Sequence, residues 1–177
     1  MPHFKAAFSA YENDSSFLNQ MAFAEMGAQE FDSAISHYQR SLELRPDPVT
    51  HFHLGNAFQK LQNIPQAVVH FRTAMQMRPT WMLPANNLAW ILATNRQHQD
   101  AKEAVKISES ICREPTNRTP SALSTLAVAY AASSNFDKAI SANQQAIKLA
   151  EQRGMVSLLE KLKNRSELFR NEQPYFE

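Results

Sequence analysis

Apolar residues along this chain recur three and four positions apart, the spacing that places them on one face of an α-helix. In Phe31-Asp32-Ser33-Ala34-Ile35-Ser36-His37-Tyr38, positions 31, 34, 35 and 38 form such a face. The pattern predicts helices over 17–27, 31–44, 49–61, 65–77, 83–94, 99–113, 120–133, 136–150 and 154–170. No run alternates apolar and polar residues as a strand would. Only 3 glycines occur, and most of the 9 prolines stand between the periodic segments. That is the punctuation of an all-helical protein. Asp47-Pro48 and the stretch 115–120 read as connectors, the second being the longest and the candidate hinge.

The helices repeat. Phe31 to Pro46 aligns with Ile64 to Pro79, each segment ending in Arg-Pro. Ala34 and Ala67 recur at an interval of about 33 residues, as do Pro46 and Pro79, which is the period of a stacked helix–turn–helix unit. A third copy appears as Phe136-Asp137-Lys138-Ala139-Ile140 running on to Ala146, and a divergent one contains Ala104. Each follows another amphipathic helix. These earlier helices include Leu54-Gly55 with Phe58, Leu88-Ala89-Trp90, and Leu126-Ala127 with Tyr130. Two antiparallel helices approach closely only where side chains are small, and Gly55, Ala67 and Ala74 supply those places.

This arrangement resembles the tetratricopeptide repeat. Repeat two fits best, with Leu54, Gly55, Phe58, Ala67, Phe71, Ala74 and Pro79 in the signature places. Repeat one has Met21-Ala22, Ala34, Tyr38, Ser41 and Pro46. Repeat three departs most, with about three extra residues in its turn through 95–99 and Ser108 where an aromatic is usual. In repeat four Asn143 takes an aromatic's place. The resemblance implies an all-α fold, a right-handed superhelical solenoid of about four helix-turn-helix units with a C-terminal capping helix. Its divisions are 15–47, 48–80, 81–115 and 120–152, followed by a cap and tail over 153–177. Leu158, Leu159, Leu162 and Leu168 supply the cap's apolar side. Residues 1–14, with Phe4, Phe8 and Tyr11, are expected to be an N-terminal segment or short helix. The ending Glu167 to Glu177 looks like the terminus of many bacterial members of the family.

Composition narrows the function. A chain of 177 residues that is 44% hydrophobic and 20% charged can bury a core. The net charge of +1, without a dense Lys/Arg run, argues against nucleic acid, which is bound largely through phosphate contacts. One cysteine, Cys112, rules out an intramolecular disulfide and reads as a buried small hydrophobe. No long apolar run marks a signal peptide or a membrane span. The expected location is therefore a reducing cytoplasm.

Candidate chemistry is sparse. His51 and His53 lie two apart, about 200° around a helix, and cannot share a metal ion. Metal-binding histidines on a helix stand four apart. His51 is expected to face the paired helix and His53 the groove. No nucleophile elbow or Gly-rich phosphate loop is present, so no catalytic residue, metal or cofactor is assigned, and the chain does not read as an enzyme.

The resemblance implies that the first helix of each repeat lines a concave groove that binds a peptide or helix of another protein. The corresponding residues are Asn19, Gln20 and Phe23 in repeat one, and Phe52, His53, Asn56 and Lys60 in repeat two. Asn86, Asn87 and Trp90 follow in repeat three, and Ser124, Thr125 and Val128 in repeat four. Gln20, His53, Asn87 and Thr125 form a column able to donate and accept hydrogen bonds. A carboxylate clamp for a chaperone tail is incomplete, because Phe52 and Leu83 stand where positive charge belongs. The alternative to a partner-binding scaffold is a structural or self-associating domain of a larger assembly, with Tyr175, Phe176 and the N-terminal aromatics as adhesive ends.

Overall fold

The computed structural model describes residues 13–177. The expected N-terminal helix with Phe4, Phe8 and Tyr11 lies outside them. The described residues form nine α-helices and one short 3-10 turn. They are α1 (Ser15–Gly27), α2 (Phe31–Leu44), α3 (Pro48–Lys60), α4 (Ile64–Met77), α5 (Met82–Thr94), α6 (Ala101–Arg113), α7 (Pro120–Ala132), α8 (Phe136–Gln152) and α9 (Val156–Arg170), with the 3-10 turn Pro115–Asn117 between α6 and α7. All nine predicted segments are helices, each with both ends within two residues of expectation.

Local chemistry explains these ends. Asp14 caps α1 by accepting from the Ser16 and Phe17 N–H groups. Asp47 caps α3 through Thr50 N–H, and Asp100 caps α6 through Glu103 N–H. Thr119 does the same for α7 through Ala122 N–H. Each satisfies a donor that the first helical turn would otherwise leave unpaired. Pro48 and Pro120 open α3 and α7, where a missing N–H costs nothing.

The hairpin turns repeat in backbone although not in sequence. Gln29, Gln62 and Ser134 each sit at the middle of a three-residue turn with φ of 64°, 58° and 60°. The next residue then donates back across the helix end, as in Glu30 N–H to Glu25 O, Asn63 N–H to Phe58 O and Asn135 N–H to Tyr130 O. This is the left-handed C-terminal motif that closes a helix. The turn between α5 and α6 is longer, spanning 95–100. Asn95 Oδ1 accepts from the Gln97 and His98 N–H groups, and Asp100 N–H donates to Leu92 O.

The chain divides into two compact units, residues 1–84 and 85–177. In the first, α1 packs on α2, α3 on α4 and α2 on α3, with α1 also touching α3. Ala22, Ala34, Tyr38, Leu54, Ala57, Ala67, Phe71 and Ala74 are fully buried. The Phe71 ring packs against Gly55, and a Cβ at Gly55 would stand only 2.7 Å from it. The small-residue contact read from the sequence is therefore a real steric requirement. In the second unit α6 packs on α7, α7 on α8 and α8 on α9. The connector 115–120 is anchored, since Arg118 Nε donates to Cys112 O at 2.7 Å and the 3-10 turn packs on α6. The boundary between units falls within α5 and not at this expected hinge. No described helix is long and apolar enough to cross a membrane.

Candidate functional site

In the first unit the face built by α1, α3 and the residue entering α5 carries a line of rings. Phe23 meets His53 edge-on at 5.9 Å, and His53 lies 5.4 Å from Phe52. Phe52 lies 4.9 Å from Trp81, whose ring is covered by the Arg78 guanidinium at 5.6 Å. Tyr38 stacks beneath His53 at 5.8 Å and anchors the line to the core. Phe23 is 65% exposed, while Phe52, His53 and Trp81 are partly exposed. Gln20 and Lys60 are exposed and Asn56 is half-buried. Asn19 differs from expectation in part, because its Oδ1 accepts from the Thr50 hydroxyl at 3.1 Å. It thereby ties α1 to α3.

In the second unit the corresponding positions are covered. Ser124, Thr125 and Val128, expected on an open groove, are buried. Arg165 of α9 donates from Nη1 to Ser124 Oγ at 2.7 Å, and the Thr125 hydroxyl turns back to Ser121 O. The cause is visible along α7, which is buried without a break from Ala122 to Ala129. A helix apolar on every side has neighbours on every side. Trp90 is also engaged. The Arg165 guanidinium lies 4.8 Å from the Trp90 ring and 4.5 Å from the Tyr175 ring, and Trp90 Nε1–H donates to Glu177 Oε2 at 2.9 Å. Tyr175 and Phe176 are therefore packed within their own unit, Phe176 beneath Arg96 at 4.3 Å. They are not the free adhesive ends expected. Asn86 and Asn87 are half-buried, and Asn86 Oδ1 is buried with no hydrogen-bond partner.

The histidines separate as predicted by helix geometry. His51 turns to α4, where its Nδ1 lies 2.9 Å from His70 Nδ1, and His70 also stacks on Phe58 at 5.5 Å. Burial, aided by repulsion from His51, pushes His70 down to about 4. Burial also lowers His51 and His53, with Asp47 opposing the shift in both. At neutral pH the pair therefore shares one hydrogen bond between uncharged rings. His37 instead meets Glu25 at 2.8 Å. No group of three or more His, Cys, Asp or Glu able to hold a metal occurs among the described residues.

A cavity of about 500 Å³ lies between α6, α7 and α8, lined in part by Glu109, Cys112, Arg118, Tyr130 and Lys138. Tyr130 donates to Glu109 Oε1 at 2.7 Å. Burial first, then this bond, raises its hydroxyl to about 12. Burial likewise raises the Cys112 thiol, with Arg118 opposing, so it is held as a thiol and not as a reactive thiolate.

No protein-family model matches the chain, and no curated protein matches its sequence. Solved structures do match. Thermus thermophilus TTC0263, a thermophilic TPR protein, is 21% identical with a TM-score of 0.65, covering 84% of this chain and 80% of that one. The fold is that of a tetratricopeptide-repeat protein. MamA matches with a TM-score of 0.73 at 17% identity, covering 86% of this chain and 87% of its own. PilW, a type IV pilus biogenesis factor, matches with a TM-score of 0.66 at 16% identity, covering 89% and 78% respectively. At such identities the likeness concerns the fold.

Within the tetratricopeptide frame, sequence reasoning missed three participants. Trp81 and Arg78 extend the first unit's ring line from the connector ahead of α5, outside any first-helix register. Arg165 enters from the cap. A signal for Arg165 was present, since it stands one turn after Leu162 and one before Phe169, both fully buried. Asn143, in the place of an aromatic, was a second signal. It is buried and donates through Nδ2 to Leu162 O and Ser166 Oγ, pinning α9 against α8.

Proposed function

We propose that the chain is a non-catalytic protein-interaction module. Its partner-binding surface is the aromatic face of the first unit, and its occupant is an extended or helical segment of another protein. The observation that carries this reading is the contiguous line Phe23–His53–Phe52–Trp81, partly exposed and rooted on Tyr38. Aromatic side chains offer large contact area at low entropic cost and dominate binding energetics where they cluster. Gln20, exposed on α1 one turn before Phe23, adds a side chain able to pair with a peptide backbone. The exposed Phe23 is more apolar surface than one folded hairpin needs to show, and exposed apolar area rimmed by polar residues marks interaction sites.

Peptides selected on the intact chain from a random library test this. They are expected to carry apolar or aromatic anchors and to lose about tenfold or more in affinity, about 1.4 kcal/mol, on Phe23→Ala combined with Phe52→Ala. Selected peptides that bind this double variant as tightly as the parent overturn the proposal.

A further inference from the structure

The segment after α9 returns across the second unit and lies on α5. Its contacts there are those of a bound peptide. Glu177 N–H donates to Thr94 O at 3.3 Å, a backbone-to-backbone bond with a helix end. The Glu177 carboxylate accepts from the Trp90 indole. Tyr175 lies on Trp90 with ring centres 5.9 Å apart, and together these rings hold the Arg165 guanidinium between them. Phe176 is taken by Arg96.

We infer that α5, with Arg165 and Arg96, forms a second peptide site. Its ligand class is an extended segment carrying two successive aromatic residues followed by an acidic one, and the chain's own residues 173–177 occupy it in cis. The chemistry of each contact fits that class. Two guanidinium groups meet two ring faces, an attraction that strengthens when desolvated. One indole donor meets one carboxylate, a charge-assisted bond. Asn86 stands one turn before Trp90 on the same helix face. The tail is seated without being core. A cavity of about 220 Å³ remains between it and α9, lined by Lys161, Asn164, Arg165, Leu168, Tyr175 and Glu177. Pro174, Tyr175 and Phe176 stay partly exposed and Glu177 exposed.

Cis occupation has a quantitative consequence. A short tether holds its ligand at an effective concentration on the order of 1 mM. A trans peptide with an intrinsic Kd of roughly 0.1 mM then binds about tenfold more weakly to the occupied chain, because only the open fraction is competent.

The test uses a fluorescent, amidated pentapeptide of sequence QPYFE, titrated by anisotropy against two full-length chains. One is the parent. In the other, Tyr175→Ala, Phe176→Ala and Glu177→Ala release the tail. The released chain is expected to bind about tenfold or more tightly than the parent, and Trp90→Ala added to it to abolish binding. Should Trp90→Ala lower the melting temperature of the released chain, Trp90→Phe, which keeps a ring and deletes the donor, is read instead, with a several-fold loss expected. Phe23→Ala with Phe52→Ala leaves this binding unchanged, so the site stands or falls apart from the first-unit reading. Equal affinity for parent and released chains, no binding to the released chain, or binding undiminished by the Trp90 substitutions would each overturn the inference.

Discussion

The two units of this chain use the same helix chemistry, yet one leaves its first-helix face open and the other covers it. In residues 13–84 the first-helix face carries Phe23, Phe52 and His53, with Trp81 of the following connector beside them, all partly in solvent. In residues 85–177 the corresponding positions Ser124, Thr125 and Val128 are buried, and Trp90 is engaged by Arg165, Tyr175 and Glu177. The repeat register alone does not determine which residues meet a partner. The chain beyond the repeats decides it. In the second unit the added helix α9 and the tail fold back on the face that the register would leave open. Asn143 in place of an aromatic makes room for this, because a small buried amide lets α9 approach and then bonds to it.

The contrast breaks most severely at Phe169, which is fully buried in α9. Phe169→Ala is expected to cost about 3–5 kcal/mol and to uncover the second unit's face. Denaturation followed by Trp90 emission in a Trp81→Phe background should show the loss, with Trp81 emission in a Trp90→Phe background less affected. Equal losses at both reporters would mean that the units do not differ in this way.

Acid should act on the first unit through His70. Above pH 6.5 His70 is neutral whether the chain is folded or not, and its contribution to stability is complete. As pH falls from 6.5 toward its folded value of about 4, the unfolded chain takes up the proton first and stability declines. Each pH unit between the unfolded and folded values is worth about 1.4 kcal/mol. The loss therefore reaches at most about 3 kcal/mol, less what solvent removes at a partly exposed ring. Urea denaturation at pH 7 and pH 4.5, read at Trp81, checks this. The decline with acid should flatten in His70→Gln.

A smaller effect sharpens the packing contrast for the open unit. Gly55→Ala places a methyl against the buried Phe71 ring and is expected to cost about 1–3 kcal/mol by overpacking. Ala67→Leu, at a fully buried position of the facing helix, should cost a similar amount. Unchanged thermal melting in both would contradict the helix pairing.

Helices and their pairing were legible because the determinants are local. Asp47-Pro48 starts a helix by capping chemistry, and Gly55 opposite Phe71 shows in the spacing of one repeat. His51 and His53 separated correctly because helix geometry alone decides it. The covering of Ser124 and Thr125 was not legible from register, since it depends on Arg165 and on a tail bond to Trp90 across 87 positions of chain. Its trace lay in composition. The stretch Ala122 to Ala129 carries no charged residue on any side, and an open groove helix would need a wet face. Trp81 was missed because it precedes its helix, where a repeat frame assigns no groove position.

The difference between the two faces can be read at once from the two indole N–H resonances of the intact isotope-labelled chain, recorded while a library-selected peptide is added. The Trp81 resonance is expected to shift with the peptide while the Trp90 resonance, bonded to Glu177, stays in place. A shift at Trp90 with Trp81 unmoved would contradict the assignment of an open first unit and a covered second one.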